Sequence, residues 1–252
     1  MRGGGCVKRS AGKFQLTAAQ LRWIALLAML LDHLWAMVVP GSQWMTYVGR
    51  TAFPIFAFQI AEGARHTSDF RRYALRLLAF ACLSEIPFDL MYASTVFYPF
   101  HQNVMFTLLL GLLAVQGLER ARRERTAGAA ALGALGLLGA WLAGTIGMVD
   151  YGGMGVLTVA VFCVFRGFPL ARLGQAACLV LLNMVFFKGE YLSIELFGRA
   201  LELQTQGFAL LALIPIWLYG GEKGRGGRAL QYGSYAFYPL HMLALYLIKF
   251  LA

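Results

Sequence analysis

Charge is scarce in this chain. Of its 252 residues, 13% are Asp, Glu, Lys or Arg and 59% are hydrophobic. An ordinary soluble domain carries about 25% charged and roughly 45–50% apolar residues. That imbalance excludes disorder and a coiled coil, and it argues against a soluble enzyme. Cysteine is scarce as well: there are four, with no Cys-x-x-Cys pair. No disulfide framework or thiolate metal site is indicated. Cys82, Cys163 and Cys178 lie in apolar runs, where a free buried thiol is the ordinary reading. HExxH, P-loop and GxSxG patterns are absent, so any chemistry falls to His, Asp, Glu and Arg. Long polar stretches are missing too, which leaves no room for a separate soluble domain.

What is present is a succession of apolar segments, at about 21–39, 46–63, 73–93, 103–118, 127–147, 152–165, 170–187, 206–220 and 230–250. Most reach the roughly 17–25 residues that a spanning helix needs. The expected fold is therefore all-α, a polytopic membrane bundle of about nine transmembrane helices. Residues 1–15, MRGGGCVKRSAGKFQ, are basic and lack the apolar core of a signal peptide. The chain divides into a cytosolic basic tail, 1–20, and a single transmembrane domain, 21–252. The Ala/Gly/Leu run at 127–144 offers small residues for close helix packing.

Positive charge sets the orientation. It collects before the first segment (Arg2, Lys8, Arg9, Lys13, Arg22) and in alternate loops: Arg65, Arg71 and Arg72; Arg120, Arg122, Arg123 and Arg125; Arg166 and Arg172; Lys223, Arg225 and Arg228. The opposite loops hold Lys188 and Arg199. This asymmetry predicts a cytoplasmic N-terminus and a multi-pass protein of the inner membrane. It also accounts for the net charge of +10 without a nucleic-acid partner, and it predicts contact with anionic membrane lipid.

Ionisable residues inside spans are functional candidates, because their burial in hydrocarbon is costly. Arg22 and His33 are eleven residues apart in the first segment. That is close to three helical turns and about 16 Å, so they share a face and His33 sits near mid-depth. Asp32, its neighbour, points elsewhere. A partner that orients His33 therefore comes from another span. A structural Asp–His pair is the plainer alternative. Arg50 lies at the outer end of the second segment, with a kink expected at Pro54. Glu62 lies at its inner end, where a salt-bridged cap is the simpler reading. Glu85 and Asp89 flank Pro87 and share one face of the third segment. They are candidates to orient His33, to balance Arg50 or to hold a cation. Asn103 opens the fourth segment, and His241 in the last lies about as deep as His33.

The chain resembles the TraX family. The resemblance is carried by LRWIALLAMLLDHLW (21–35), GRTAFPIFAFQIAEGARHT (49–67), RYALRLLAFACLSEIPFDLMY (72–92) and QNVMFTLLLGLL (102–113). DYGGMGVL (150–157), LLALIPIWLYGGEKG (210–224) and YAFYPLHMLALYLI (235–248) continue it almost to the end. The family's founding member acetylates the N-terminus of conjugative pilin. The family is also similar to a wider group of transmembrane acyltransferases, whose first span carries a basic residue and a histidine separated by ten residues. Arg22 and His33 match that spacing. The resemblance implies an acyltransferase that uses cytosolic acetyl-CoA, with no metal. His33 would be general base or acyl carrier, tuned by Asp32, Glu85 or Asp89. Arg22, Arg71, Arg72, Arg76, Arg120 and Arg122 would hold the donor's phosphates. Arg50 or Asn103 would stabilise an oxyanion, with Glu62 and His241 as further substrate-side candidates. The acceptor is open: a pilin-like peptide, a surface glycan or a lipid. A proton- or ion-coupled transporter and a non-catalytic assembly factor are the rival readings.

Overall fold

The computed structural model describes residues 14–187, 190–196 and 199–251. Most of the basic tail therefore lies outside the described residues. The folded domain begins before residue 21. Thr17 caps helix α1 (Ala18–Met37): its hydroxyl accepts from Gln20 N–H, while the Gln20 side chain accepts from Thr17 N–H. This reciprocal capping box satisfies two donors that a helix start otherwise leaves free. Two more, the N–H groups of Ala18 and Ala19, donate to the carbonyls of Glu222 and Lys223. Buried Leu16 pairs with Tyr219 as an isolated bridge. The start of α1 is thus clamped to the loop that precedes the last helix.

The second segment is two helices, α2 (Trp44–Gly49) and α3 (Ala52–His66), broken at Arg50 and Thr51. The expected kink at Pro54 is absent, because Pro54 stands in the first turn of α3, where its missing N–H has no partner to lose. Helix α4 (Phe70–Ala93) runs through Pro87. Then follow α5 (Val104–Glu124), α6 (Ala127–Ile146), α7 (Gly152–Val164) and α8 (Ala171–Leu181), the last continuing as a π-helix over Leu182–Phe186. An antiparallel strand pair, β1 (Tyr191–Leu196) and β2 (Arg199–Gln204), sets Tyr191 opposite Gln204. It is an element that the segment pattern did not anticipate. A 3-10 stretch, Thr205–Ala212, leads into short α9 (Leu213–Trp217), and α10 (Gly227–Leu251) closes the described chain.

The architecture is mostly helical, as the apolar segments imply, and each of the nine intervals holds helical structure. The core gathers Leu21 of α1, Ile55 of α3, Leu77 of α4, Leu112 of α5, Phe162 of α7 and Met242 of α10. Among the described helices, α5 and α6 are long and apolar enough to cross a membrane by length and composition. Leu132, Leu135, Leu138 and Ile146 of α6 are exposed. Such a surface is unsuited to water and suits lipid, as in a membrane protein. Helix α6 reaches α5 and α7 through glycines. Gly133 packs on Gly117, and Gly144 on the backbone of Gly152 and Gly153. Small residues let helices approach closely where hydrocarbon supplies no hydrophobic drive.

Candidate functional site

A side-chain polar contact joins the first and last helices. His33 Nδ1 lies 2.6 Å from His241 Nε2. The two rings are parallel to within 4° with centroids 4.9 Å apart. A nitrogen–nitrogen distance this short is inside face-to-face contact, so the bond lies in the ring plane. His241 Nδ1 lies 2.8 Å from the Phe237 carbonyl oxygen, which can only accept. In the neutral pair this assigns the hydrogens. Nδ1 of His241 donates to Phe237, its Nε2 accepts from His33 Nδ1–H, and His33 Nε2 keeps a bare lone pair. His241 is buried and His33 half-buried. The orienting partner of His33 is thus a second histidine from another helix.

Asp32 turns the other way. Its Oδ1 accepts from the Thr46 hydroxyl at 2.7 Å and lies 3.7 Å from Arg50 Nη2, which also donates to Thr46 at 3.1 Å. Tyr151, just before α7, stacks on Phe53 of α3 with ring centroids 3.9 Å apart. The break between α2 and α3 brings Arg50 into this group, and its Nε is buried with no partner. Gly49 packs directly on the Asp32 side chain.

Glu85, Asp89 and Asn103 are occupied elsewhere. Asn103 caps α5, its Oδ1 accepting from Met105 N–H. Its two Nδ2 hydrogens are taken by the Ala81 carbonyl, at 2.8 Å, and by Glu85. None remains for an oxyanion. Asp89 accepts from the Tyr98 backbone N–H at 2.8 Å and fastens the loop after α4. The expected pairing of these carboxylates with His33 or Arg50 does not occur among the described contacts. Glu62 belongs to the inner end: His66 Nε2 lies 2.9 Å and Arg166 Nη2 3.5 Å from its carboxylate. Arg166 also binds Glu119 at 2.7 Å. Glu62 is therefore far from Arg50, twelve residues and about 18 Å along the chain's helices.

The arginines divide. Arg22 and Arg76 line one cavity of about 500 Å³, whose wall also includes Lys223, Arg225, Glu62 and His66. The Arg76 guanidinium lies 5.2 Å from the Tyr73 ring and 5.5 Å from that of Tyr235, with its Nε buried and unpartnered. Arg71 and Arg72 lie on the exposed first turn of α4, Arg72 pairing with Asp69 at 3.3 Å. Arg120 pairs with Glu124 at 2.6 Å. Arg122 spends its donors on the Val164 and Arg166 carbonyls, closing the end of α7. These four stand outside the cavity because each is consumed by its own helix end or faces outward.

A narrower space of about 90 Å³ adjoins that cavity and shares Arg22, Gln59, Tyr73 and Tyr235 with it. Its walls are mainly apolar: Leu26 and Met29 of α1, Phe56, Leu77, Met105 and Leu108. Tyr238 also lines it, and the Tyr238 ring lies 5.9 Å from that of His241. The two spaces thus lead from a cationic mouth, past Arg22, to Tyr238, one helical turn before His241; neither His33 nor His241 is in their walls. Sequence reasoning missed Tyr238, Tyr235, Tyr73 and Tyr151. Tyr238 was within reach, since it stands three residues before His241 on the same helical face.

These features define a helical membrane protein with paired interior histidines and an arginine-lined cavity at one end. The TraX protein family matches residues 17–249, and the chain belongs to that family. It is similar to "Probable fimbrial assembly protein FimC, serogroup H1" of Dichelobacter nodosus, with 27% identity over 245 residues, 91% of this chain and 94% of that protein. No solved structure matches the chain.

Proposed function

We propose that this protein is a multi-pass inner-membrane acyltransferase of about nine spans with its N-terminus in the cytoplasm. It takes an acetyl group from cytosolic acetyl-CoA and delivers it to an amine or hydroxyl acceptor arriving from the other side. The observation that carries the reading is the Arg22–Arg76 mouth with its apolar extension, which reaches Tyr238, one helical turn from His241 of the His33–His241 pair. A donor of this kind fits its chemistry. Its phosphates need cations, supplied by Arg22, Arg76, Lys223 and Arg225. Its slender pantetheine arm suits a narrow, largely apolar passage, and its thioester must meet a base.

His33 Nε2, with its lone pair free, takes the proton of the acceptor as the nitrogen or oxygen adds to the thioester carbon. The tetrahedral adduct then expels the thiolate, which receives that proton and leaves as CoA. A route through a transient acyl-histidine uses the same nitrogen. The name of the FimC relative supports a polypeptide acceptor such as a pilin-like peptide, ahead of a glycan or lipid. Taken alone, that name also suits an assembly factor without catalysis.

Thermal unfolding of the purified protein with CoA, acetyl-CoA, dephospho-CoA and ATP tests the reading, because a ligand bound by the folded state raises stability. Saturable stabilisation by CoA and acetyl-CoA, weaker with dephospho-CoA and absent with ATP, is expected. A well-folded protein that responds to no CoA species is not an acyl-CoA enzyme, and transport or assembly becomes the better reading.

A further inference from the structure

The cationic mouth is graded in depth, and helix α1 supplies the scale. Arg22, Leu26 and Met29 recur at helical spacing on one face. Arg22 lines both spaces, Leu26 and Met29 the narrow one, and Ala18 and Ala19 the mouth. The loop before α10 is fixed at the level of those alanines. The N–H groups of Ala18 and Ala19 donate to the Glu222 and Lys223 carbonyls at 2.8 and 3.1 Å, and Leu16 N–H donates to the Leu218 carbonyl at 2.7 Å. Gly224, at φ +75°, lies against Thr17, where a Cβ would stand 2.5 Å from the Thr17 hydroxyl oxygen. Lys223 is thereby pinned beside Ala19, about 4.5 Å along α1 from Arg22 and farther from the narrow space. The first three N–H groups of α1 are spent on this loop and on Thr17, so binding an anion here falls to side chains. Among the described residues, Glu62 is the carboxylate in the mouth's wall, and it is engaged by His66 and Arg166. Arg22, Arg76, Lys223 and Arg225 enter none of the described ion pairs.

We propose that the mouth sorts the donor's phosphates: Lys223 and Arg225 bind the 3′-phosphate on its ribose, while Arg22 and Arg76 bind its diphosphate. This inference rests on the acyl-CoA reading and assigns each cation its phosphate. The covalent order of CoA decides the matter, because the diphosphate stands between the nucleoside and the pantetheine arm. An arm in the narrow apolar space puts the diphosphate where the two spaces meet. Arg22 is at that junction, and the Arg76 guanidinium lies over Tyr73 and Tyr235, which line both spaces. The nucleoside and its 3′-phosphate are left in the wider mouth, about 500 Å³ against about 90 Å³ for the narrow space. A phosphomonoester carries nearly two negative charges at neutral pH, and the two cations of the pinned loop answer them. That loop is therefore a specificity element, which separates CoA from a donor that lacks the 3′-phosphate.

The test is calorimetric titration of the detergent-purified full chain with CoA and with dephospho-CoA, which differ by the 3′-phosphate alone. The wild type is expected to bind CoA about 10–100-fold more tightly, as hydrogen bonds to a charged group allow. In the double variant Lys223→Gln/Arg225→Gln that preference should disappear, with CoA weakened to the affinity of dephospho-CoA and dephospho-CoA bound as before. Both side chains are exposed, so the double variant leaves the packing intact, and its unfolding midpoint without ligand should match the wild type. Arg22→Gln should weaken both ligands by a similar factor and keep the preference. A preference that survives in the double variant, or that is lost in Arg22→Gln instead, overturns the inference while leaving the acyl-CoA reading standing. A wild type that binds the two ligands equally does the same. A wild type that binds neither overturns both.

Discussion

A histidine serves as a base only through a nitrogen that its surroundings leave bare. At His33 that choice is made by His241, whose own hydrogen is fixed on Nδ1 by the Phe237 carbonyl. Removing His241 should therefore harm turnover more than its small contact suggests. In His241→Leu the His33 Nδ1–H loses its acceptor, and the imidazole is free to reverse its tautomer and turn. Turnover of acetyl-CoA is expected to fall about 10²–10⁴-fold, with the affinity for CoA unchanged. His241→Gln offers a carbonyl oxygen in place of Nε2 and should recover part of the loss. Steady-state kinetics beside CoA-dependent unfolding separate the two effects. Equal kcat in wild type and His241→Leu would remove the pair from the mechanism. The Arg22–His33 register was legible in the sequence because helical periodicity alone relates residues on one helix. The partner of His33 was legible only as a need, since bringing Tyr238 and His241 of α10 against α1 depends on tertiary packing. The commitment of Asn103 was hidden for the same reason: its hydrogens are taken by groups on α4, Ala81 and Glu85.

At the level of elements, apolar runs bounded by charge marked where helices lie, and that pattern survives in the structure. Its interruptions did not follow proline. Chain breakage falls at Arg50–Thr51, and Pro54 costs nothing in the first turn of α3, whereas α4 continues past Pro87 although the bond to the Leu83 carbonyl is lost there. The β1–β2 pair escaped notice although Leu192, Ser193 and Glu195 to Leu203 keep some polar–apolar alternation, the signal of a strand. Helices α6 and α7 approach each other closely at a glycine. A Cβ at Gly153 would meet Trp141 carbonyl oxygen at 2.6 Å, whereas one at Gly139, on the open face of α6, would meet nothing within 4 Å. Gly153→Ala must push α7 from α6 and should lower stability by about 1–3 kcal/mol. Gly139→Ala should be neutral or stabilise by about 0.5–1 kcal/mol, as expected for alanine replacing glycine in a helix. Unfolding midpoints of the two variants in one detergent compare them directly, and equal midpoints would show that the α6–α7 approach has slack.

The whole molecule has one charged end. The cavity mouth is formed there by the start of α1, the loop between α3 and α4, and the loop before α10, with Arg22, His66, Lys223 and Arg225 in its wall. If the donor is acyl-CoA, this end must face the cytoplasm, where the positive-inside pattern also puts it. Anionic lipid would hold it there, each surface Lys or Arg contributing about 1 kcal/mol. The loop after α4 must then be outside. Ser68, between α3 and α4, and Val96, beyond α4, are both exposed and so report the two sides. In a background with Cys6, Cys82, Cys163 and Cys178 replaced, a membrane-impermeant maleimide should label Val96→Cys in intact spheroplasts. It should reach Ser68→Cys only after the membrane is opened. The reverse pattern would turn the mouth outward, away from any acyl-CoA, and the arginine-lined cavity would then have to serve an anion of the outer compartment. Labelling of both positions in intact cells would mean that α4 does not cross, which the depth assigned to His33 and His241 cannot accommodate.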